Sequence, residues 1–159
     1  MIFQEIQDKT MIIFIGAQAS GKSTFYKTYF ADRCRHINLD TLHTRNKEKM
    51  MLSECLQNGE SCVIDNTNPT KEDREKYIRL AQAQGYHIIG FYFQSCISEC
   101  LQRNAGREGK AYVPERAILG TAKKLELPAF SEGFGQLYHV AIAEDKFVIS
   151  KWEEEENEI

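Results

Sequence analysis

The chain has 159 residues, 20 Lys and Arg against 23 Asp and Glu, a formal charge of −3 and 42% hydrophobic residues. That is room for one buried core and one site, not for a second catalytic module. Five of the acids fall in the last seven residues, so the rest carries +2 and neither demands nor excludes a polyanionic partner. Residues 153–159 are expected to be a solvated, disordered acidic tail.

The first apolar run, residues 11–15, is far shorter than the ~20 residues that span a bilayer, and a cytoplasmic location is expected. Cys34, Cys55, Cys62, Cys96 and Cys100 are odd in number and form no C-x-x-C pair, which argues for buried thiols rather than a disulfide framework or zinc site.

Residues 11–15 form a β-branched and aromatic run that meets glycine, as a buried parallel strand does, and a helix is expected to start near Gly21. Strands are expected at 34–39 and 61–65, separated by a helix over 46–57 that Asn58-Gly59 stops. After a turn at 66–69, Thr70 with Asp73 three places on opens a helix through Gln84, ended by Gly85. A strand at 87–93, a helix at 95–104, a Pro114-led helix to 124 and strands at 137–143 and 146–150 complete the order. Strands alternating with helices mean a mostly parallel sheet covered on both faces, with ligands at its carboxyl edge.

Gly16-Ala17-Gln18-Ala19-Ser20-Gly21-Lys22-Ser23 matches G-x-x-x-x-G-K-[ST] between such a strand and helix. There the backbone N–H groups and the helix N-terminus face an anion, Lys22 reaches β- and γ-phosphates and Ser23 ligates Mg²⁺. Residues 16–23 with Thr24 are therefore the expected nucleotide cradle. Asp40, after the second strand, is a candidate general base for an alcohol acceptor, or else a helix cap. Asp65, ending an apolar strand, is suited to holding Mg²⁺ or orienting the acceptor, while Asn66 and Asn68 serve either the site or an Asx turn.

Arg103 and Arg107 are four apart and share a face if their helix persists. They suit a segment that closes over a triphosphate, or a solvated basic face. Residues 99–126 hold six basic side chains against four acids. His36, His87 and His139 are expected at strand edges or in the core, whereas His43, three residues after Asp40, serves either to touch an acceptor or as a surface or packing residue.

The ordered set Asn38-x-Asp40-Thr41-Leu42, then residues 63–69 reading VIDNTNP, then Arg103-Asn104-x-x-Arg107, then Pro128-x-x-x-Glu132-Gly133-Phe134 resembles the kinase domain of polynucleotide 5′-hydroxyl kinases from about residue 11 to 140. That resemblance implies an adenylate-kinase-like P-loop NTPase fold, three layers in αβα order around a mostly parallel five-stranded sheet, in one kinase domain over 1–152 with a lid around 103–113. It also implies a phosphotransferase using ATP and Mg²⁺. Lys22 and Ser23 would bind donor phosphates and metal, Asp40 would be the base for the 5′-hydroxyl of DNA or RNA in end repair, and Arg107, assisted by Arg103, would be the lid arginine. Asp65 would lie near acceptor and metal; Glu132-Gly133-Phe134 brings no chemical role. The sequence departs from the family at Leu39, where members often carry arginine, and at His43, where one branch does, and holds no phosphatase D-x-D-x-T motif, so a stand-alone kinase is expected. The alternatives are a kinase of the same architecture acting on a small hydroxylated molecule, and an ATP-binding switch module.

Overall fold

The computed structural model describes residues 6–153. The acidic tail therefore falls almost entirely outside the described residues. Six strands, β1 (Thr10–Ile15), β2 (Arg35–Ile37), β3 (Cys62–Ile64), β4 (His87–Phe93), β5 (Gln136–Ala143) and β6 (Lys146–Lys151), form one sheet in the order β2-β3-β1-β4-β5-β6. The first five are parallel, and β6 returns antiparallel to β5. The sheet is thus six-stranded rather than five: the turn at Glu144 and Asp145, both at positive φ, sends the chain back along β5.

Side chains alternate across β1. Met11, Ile13 and Ile15 face α3 (Arg45–Asn58) and α4 (Lys71–Ala83), meeting Leu52, Leu56, Tyr77 and Ile78. Ile12 and Phe14 face α1 (Lys22–Tyr29), where Phe14 and Phe25 pack edge-on against Phe93 at 5.0 and 5.1 Å between ring centres. Burying each such ring is worth about 1.5–3 kcal/mol. α4 opens on the expected capping box: Thr70 Oγ1 accepts from Asp73 N and the Asp73 carboxylate accepts from Thr70 N. Among the described residues, no helix is long and apolar enough to cross a membrane.

β2 is shorter than expected. Asn38 leaves the strand to cap a single turn, α2 (Leu39–Leu42), which His43 closes at φ +71° before Thr44 caps α3. The motif at 132–134 proves architectural. Glu132 forms a bidentate pair with the fully buried Arg74, at 2.8 and 3.1 Å, and Arg74 Nη1 also donates to Asn68 O at 2.9 Å. Gly133 adopts φ +121°, and a Cβ there would stand 2.8 Å from Ile78 Cγ2. Phe134 fills the space left by Gly90, whose absent Cβ would lie 2.7 Å from its ring. This set pins the 65–69 loop at the carboxyl edge of the sheet.

Candidate active site

The cradle follows β1 directly. Its backbone is tied down from both sides: Gly16 N donates to Thr67 O at 3.0 Å, and Ala17 N to Ser95 Oγ at 2.9 Å. Ala19 and Gly21 take positive φ, which curls the loop into the start of α1. A Cβ at Gly16 would lie 3.0 Å from both Phe93 Cβ and Ser20 Oγ, so glycine is required by space.

Lys22 is buried, and its Nζ donates to Gly16 O at 2.9 Å and Ala17 O at 2.7 Å. Burial pushes its pKa down to about 8, against the pull of Asp65 and Asp40. The Ser20 hydroxyl and Gln18 Oε1 are buried with no partner among the described residues. An unpaired buried hydroxyl, an ammonium and a helix N-terminus converging on one glycine-bounded loop fit a phosphate chain. Thr24 lies exposed on the first turn of α1.

Ser23 and Asp65 come together as expected. Asp65, 2% exposed, accepts from Ser23 Oγ at 2.9 Å, and His36 Nε2 lies 2.7 Å from the same carboxylate oxygen. A hydroxyl paired with a carboxylate at the mouth of the loop is an oxygen donor set suited to Mg²⁺. His36 is a residue that sequence reasoning assigned to packing. It does pack, with Tyr26 stacked on its ring at 4.0 Å, but its outer nitrogen holds Asp65. Only the parallel register of β2 with β3, which pairs His36 with Val63 and Ile37 with Ile64, makes that contact.

Asp40 sits on α2, exposed, at the same sheet edge, and its charge is felt by Lys22. It is not a cap: Asn38 caps α2 and Thr44 caps α3. No side chain among the described residues hydrogen-bonds its carboxylate. Nor are Asn66 and Asn68 merely turn formers. Asn68 Nδ2 donates to Phe14 O at 2.8 Å, and Asn66 Oδ1 accepts from Leu39 N at 3.0 Å.

The arginines behave differently from one another. α5 (Ile97–Ala105) ends before Arg107, so the shared helical face is lost. Arg103 Nη1 donates to Ala19 O in the cradle at 2.9 Å, fastening α5 to the loop. Arg107 is exposed, donates to Ala111 O at 3.2 Å and still lowers the Lys22 pKa through space. Between them, the buried Asn104 exchanges two hydrogen bonds with the Val113 backbone, at 2.7 and 2.9 Å, closing the segment into a loop that leads to α6 (Glu115–Lys124).

The family model described as an AAA domain matches residues 45–128. The chain is 29% identical over 142 residues to a bifunctional polynucleotide phosphatase/kinase of Schizosaccharomyces pombe, covering 87% of this chain and 35% of that protein. It is 31% identical over 153 residues to a putative bifunctional polynucleotide phosphatase/kinase of Acanthamoeba polyphaga mimivirus, covering 91% and 36%. It thus spans about a third of the length of these curated relatives. Among solved structures, Chaetomium thermophilum Kti12 in complex with ADP-AlF3 superimposes with a TM-score of 0.66 at 15% identity, over 82% of this chain and 88% of that one. That likeness concerns the fold.

Proposed function

The chain belongs to the AAA domain family and is a P-loop kinase, and from that premise we propose that it transfers the γ-phosphate of ATP to the 5′-hydroxyl of DNA or RNA. The observation that carries transfer to an alcohol is the free carboxylate of Asp40, exposed at the sheet edge that also bears the Lys22 cradle and the Ser23–Asp65 pair, and likeness to polynucleotide phosphatase/kinases supports a nucleic-acid end as that alcohol. A switch has no use for an unpaired carboxylate beside its nucleotide; an alcohol acceptor does.

In this reading the backbone N–H groups of residues 16–21, the Ser20 hydroxyl and Lys22 hold the donor phosphates, with Thr24 at the entrance to α1. Ser23 and Asp65 would hold Mg²⁺, which when bound would supply positive charge against the phosphate oxygens. Asp40 accepts the proton of the hydroxyl as the oxygen attacks phosphorus in line, and the bond to the departing ADP breaks. Arg107 faces the triphosphate as residues 103–113 close, excluding water and offsetting charge on the moving phosphoryl group. Arg103 supports it through the cradle.

The test offers γ-labelled ATP with DNA and RNA oligonucleotides bearing either 5′-hydroxyl or 5′-phosphate ends. Label on the hydroxyl ends alone is expected. Because Leu39 and His43 stand where an arginine would grip an acceptor phosphate, a parallel panel of small sugars belongs beside it. Label on a sugar and on no oligonucleotide would replace the nucleic-acid acceptor with a small one, and slow hydrolysis without any product would favour a switch.

A further inference from the structure

The turn that carries Asp40 is held at its far end by Leu42, which packs against the core, and at its start by side chains from outside the turn. α2 is four residues long, buries none of them and is too short to be stable alone. With no hydrogen-bond partner among the described residues, the Asp40 carboxylate is aimed only by where the backbone of the turn is anchored. We propose that Asn66, with Asn38, is a positioning residue that fixes α2 and so sets Asp40 against the cradle; this rests on the reading of Asp40 as the general base.

The two asparagines reach across the β2–β3 boundary in opposite directions. Asn38 Nδ2 donates to Asp65 O at 2.7 Å while its Oδ1 accepts from Thr41 N at 3.1 Å, tying the residue after β3 to the turn. From the other side, Asn66 Oδ1 accepts from Leu39 N at 3.0 Å, one of the unpaired donors at a helix start. Its Nδ2 donates to Glu48 Oε2 at 2.8 Å and lies 3.4 Å from the Tyr77 hydroxyl. Glu48 is 4% exposed and also accepts from Tyr77 at 2.8 Å, and Arg45 Nη1 lies 3.3 Å from it.

Asn66 therefore cannot rotate without breaking a bond at each end. It joins the end of β3, α3, α4 and the base-bearing turn through one amide. Donor and acceptor are both needed on separate atoms: a carboxylate has no donor, and a serine or threonine hydroxyl, though it can do both, is one short-armed oxygen that does not span Leu39 N and Glu48. A turn-building asparagine would bond its own loop; this side chain bonds Leu39 and Glu48 instead.

The test uses the full chain with ATP and a 5′-hydroxyl DNA oligonucleotide, together with residue-resolved amide exchange. Asn66→Ala is expected to lower kcat for transfer about tenfold to hundredfold, as loss of reacting geometry does. The KM for ATP stays within about twofold, and exchange at Leu39 and Thr41 accelerates at least about tenfold with β1 unaffected. Wild-type kcat, or unchanged exchange at Leu39, would overturn the proposal. If exchange in β1 also accelerates, Asn38→Asp decides: it keeps the acceptor for Thr41 N, removes the donor to Asp65 O, and must show the same kcat loss. Should Asp40→Asn retain transfer, the base assignment fails separately, and the exchange at Leu39 still decides whether Asn66 anchors the turn.

Discussion

Ser23 and Asp65, 42 residues apart in sequence, meet across the sheet edge, the hydroxyl donating to Oδ2 at 2.9 Å. Ser23 lies in the first turn of α1 and Asp65 directly follows β3, so the pair exists only because β1 and β3 are parallel neighbours. Asp65→Asn keeps the shape and removes the charge. The Mg²⁺ concentration for half-maximal activity is expected to rise about tenfold to hundredfold, comparable to losses at other metal sites. A Mg²⁺ titration at saturating ATP checks it, with Mn²⁺ binding followed in parallel; an unchanged midpoint speaks against a metal role.

Lys22 is expected to make nucleotide binding depend on pH. Its folded pKa of about 8 lies below the free value of 10.5, so between the two the unfolded chain binds more protons and stability rises with pH. Below about pH 8 the cost of charging the buried amine is fully present. A triphosphate favours the ammonium, so ATP affinity should be flat below about pH 8 and fall by up to about tenfold per unit above it, with proton uptake on binding. Titration calorimetry in buffers of different ionisation enthalpy measures both. Lys22→Met should bind weakly and lose the dependence.

The Arg74–Glu132 pair is buried at both ends, with side-chain exposures of 0 and 9%. Arg74→Leu leaves a carboxylate without its partner and is expected to cost about 3–5 kcal/mol. At this chain length that is a drop of roughly 6–20 °C in Tm. Changing Glu132→Leu as well should recover part of the loss. Thermal unfolding followed by circular dichroism decides it, and a Tm within about 2 °C of wild type for the single variant would mean the 65–69 loop is held some other way.

Arg107, exposed and bonded only within its own segment, offers the opposite profile. Arg107→Ala should leave Tm within about 1 °C, as surface changes do, yet lower kcat/KM for ATP at least about tenfold. Lysine should restore little, because the planar fork matches phosphate oxygens and a point charge does not. Arg103→Ala should disturb the cradle itself, raising the Kd for nucleotide, since its guanidinium holds Ala19 O.

What was legible in the sequence was local. The run from Met11 into Gly16–Ser23 specifies strand, loop and helix within 13 residues, and the Thr70–Asp73 box specifies the start of α4 in four. Asp40 and Asp65 could be placed at one edge because both follow apolar strands. The limits are equally physical. Ile37 and Leu39 flank Asn38 as they would in a strand, but its Oδ1 caps the turn by accepting from Thr41 N while its Nδ2 is held by Asp65 O, 27 positions away. His36 and Asn66 become site residues only through the β2–β3 register, and Glu132 through an arginine 58 positions away. The end of α5 at Ala105, set by Asn104 reaching to Val113, separates two arginines whose spacing suggested a common face.

The most direct measurement is rapid-quench transfer from γ-labelled ATP to a 5′-hydroxyl oligonucleotide by wild-type protein and Asp40→Asn, with ATP binding measured on both. The variant is expected to lose about 10²–10⁴-fold in the transfer step while its Kd for ATP stays within about twofold. Transfer by Asp40→Asn at the wild-type rate would contradict the assignment of Asp40 as the base.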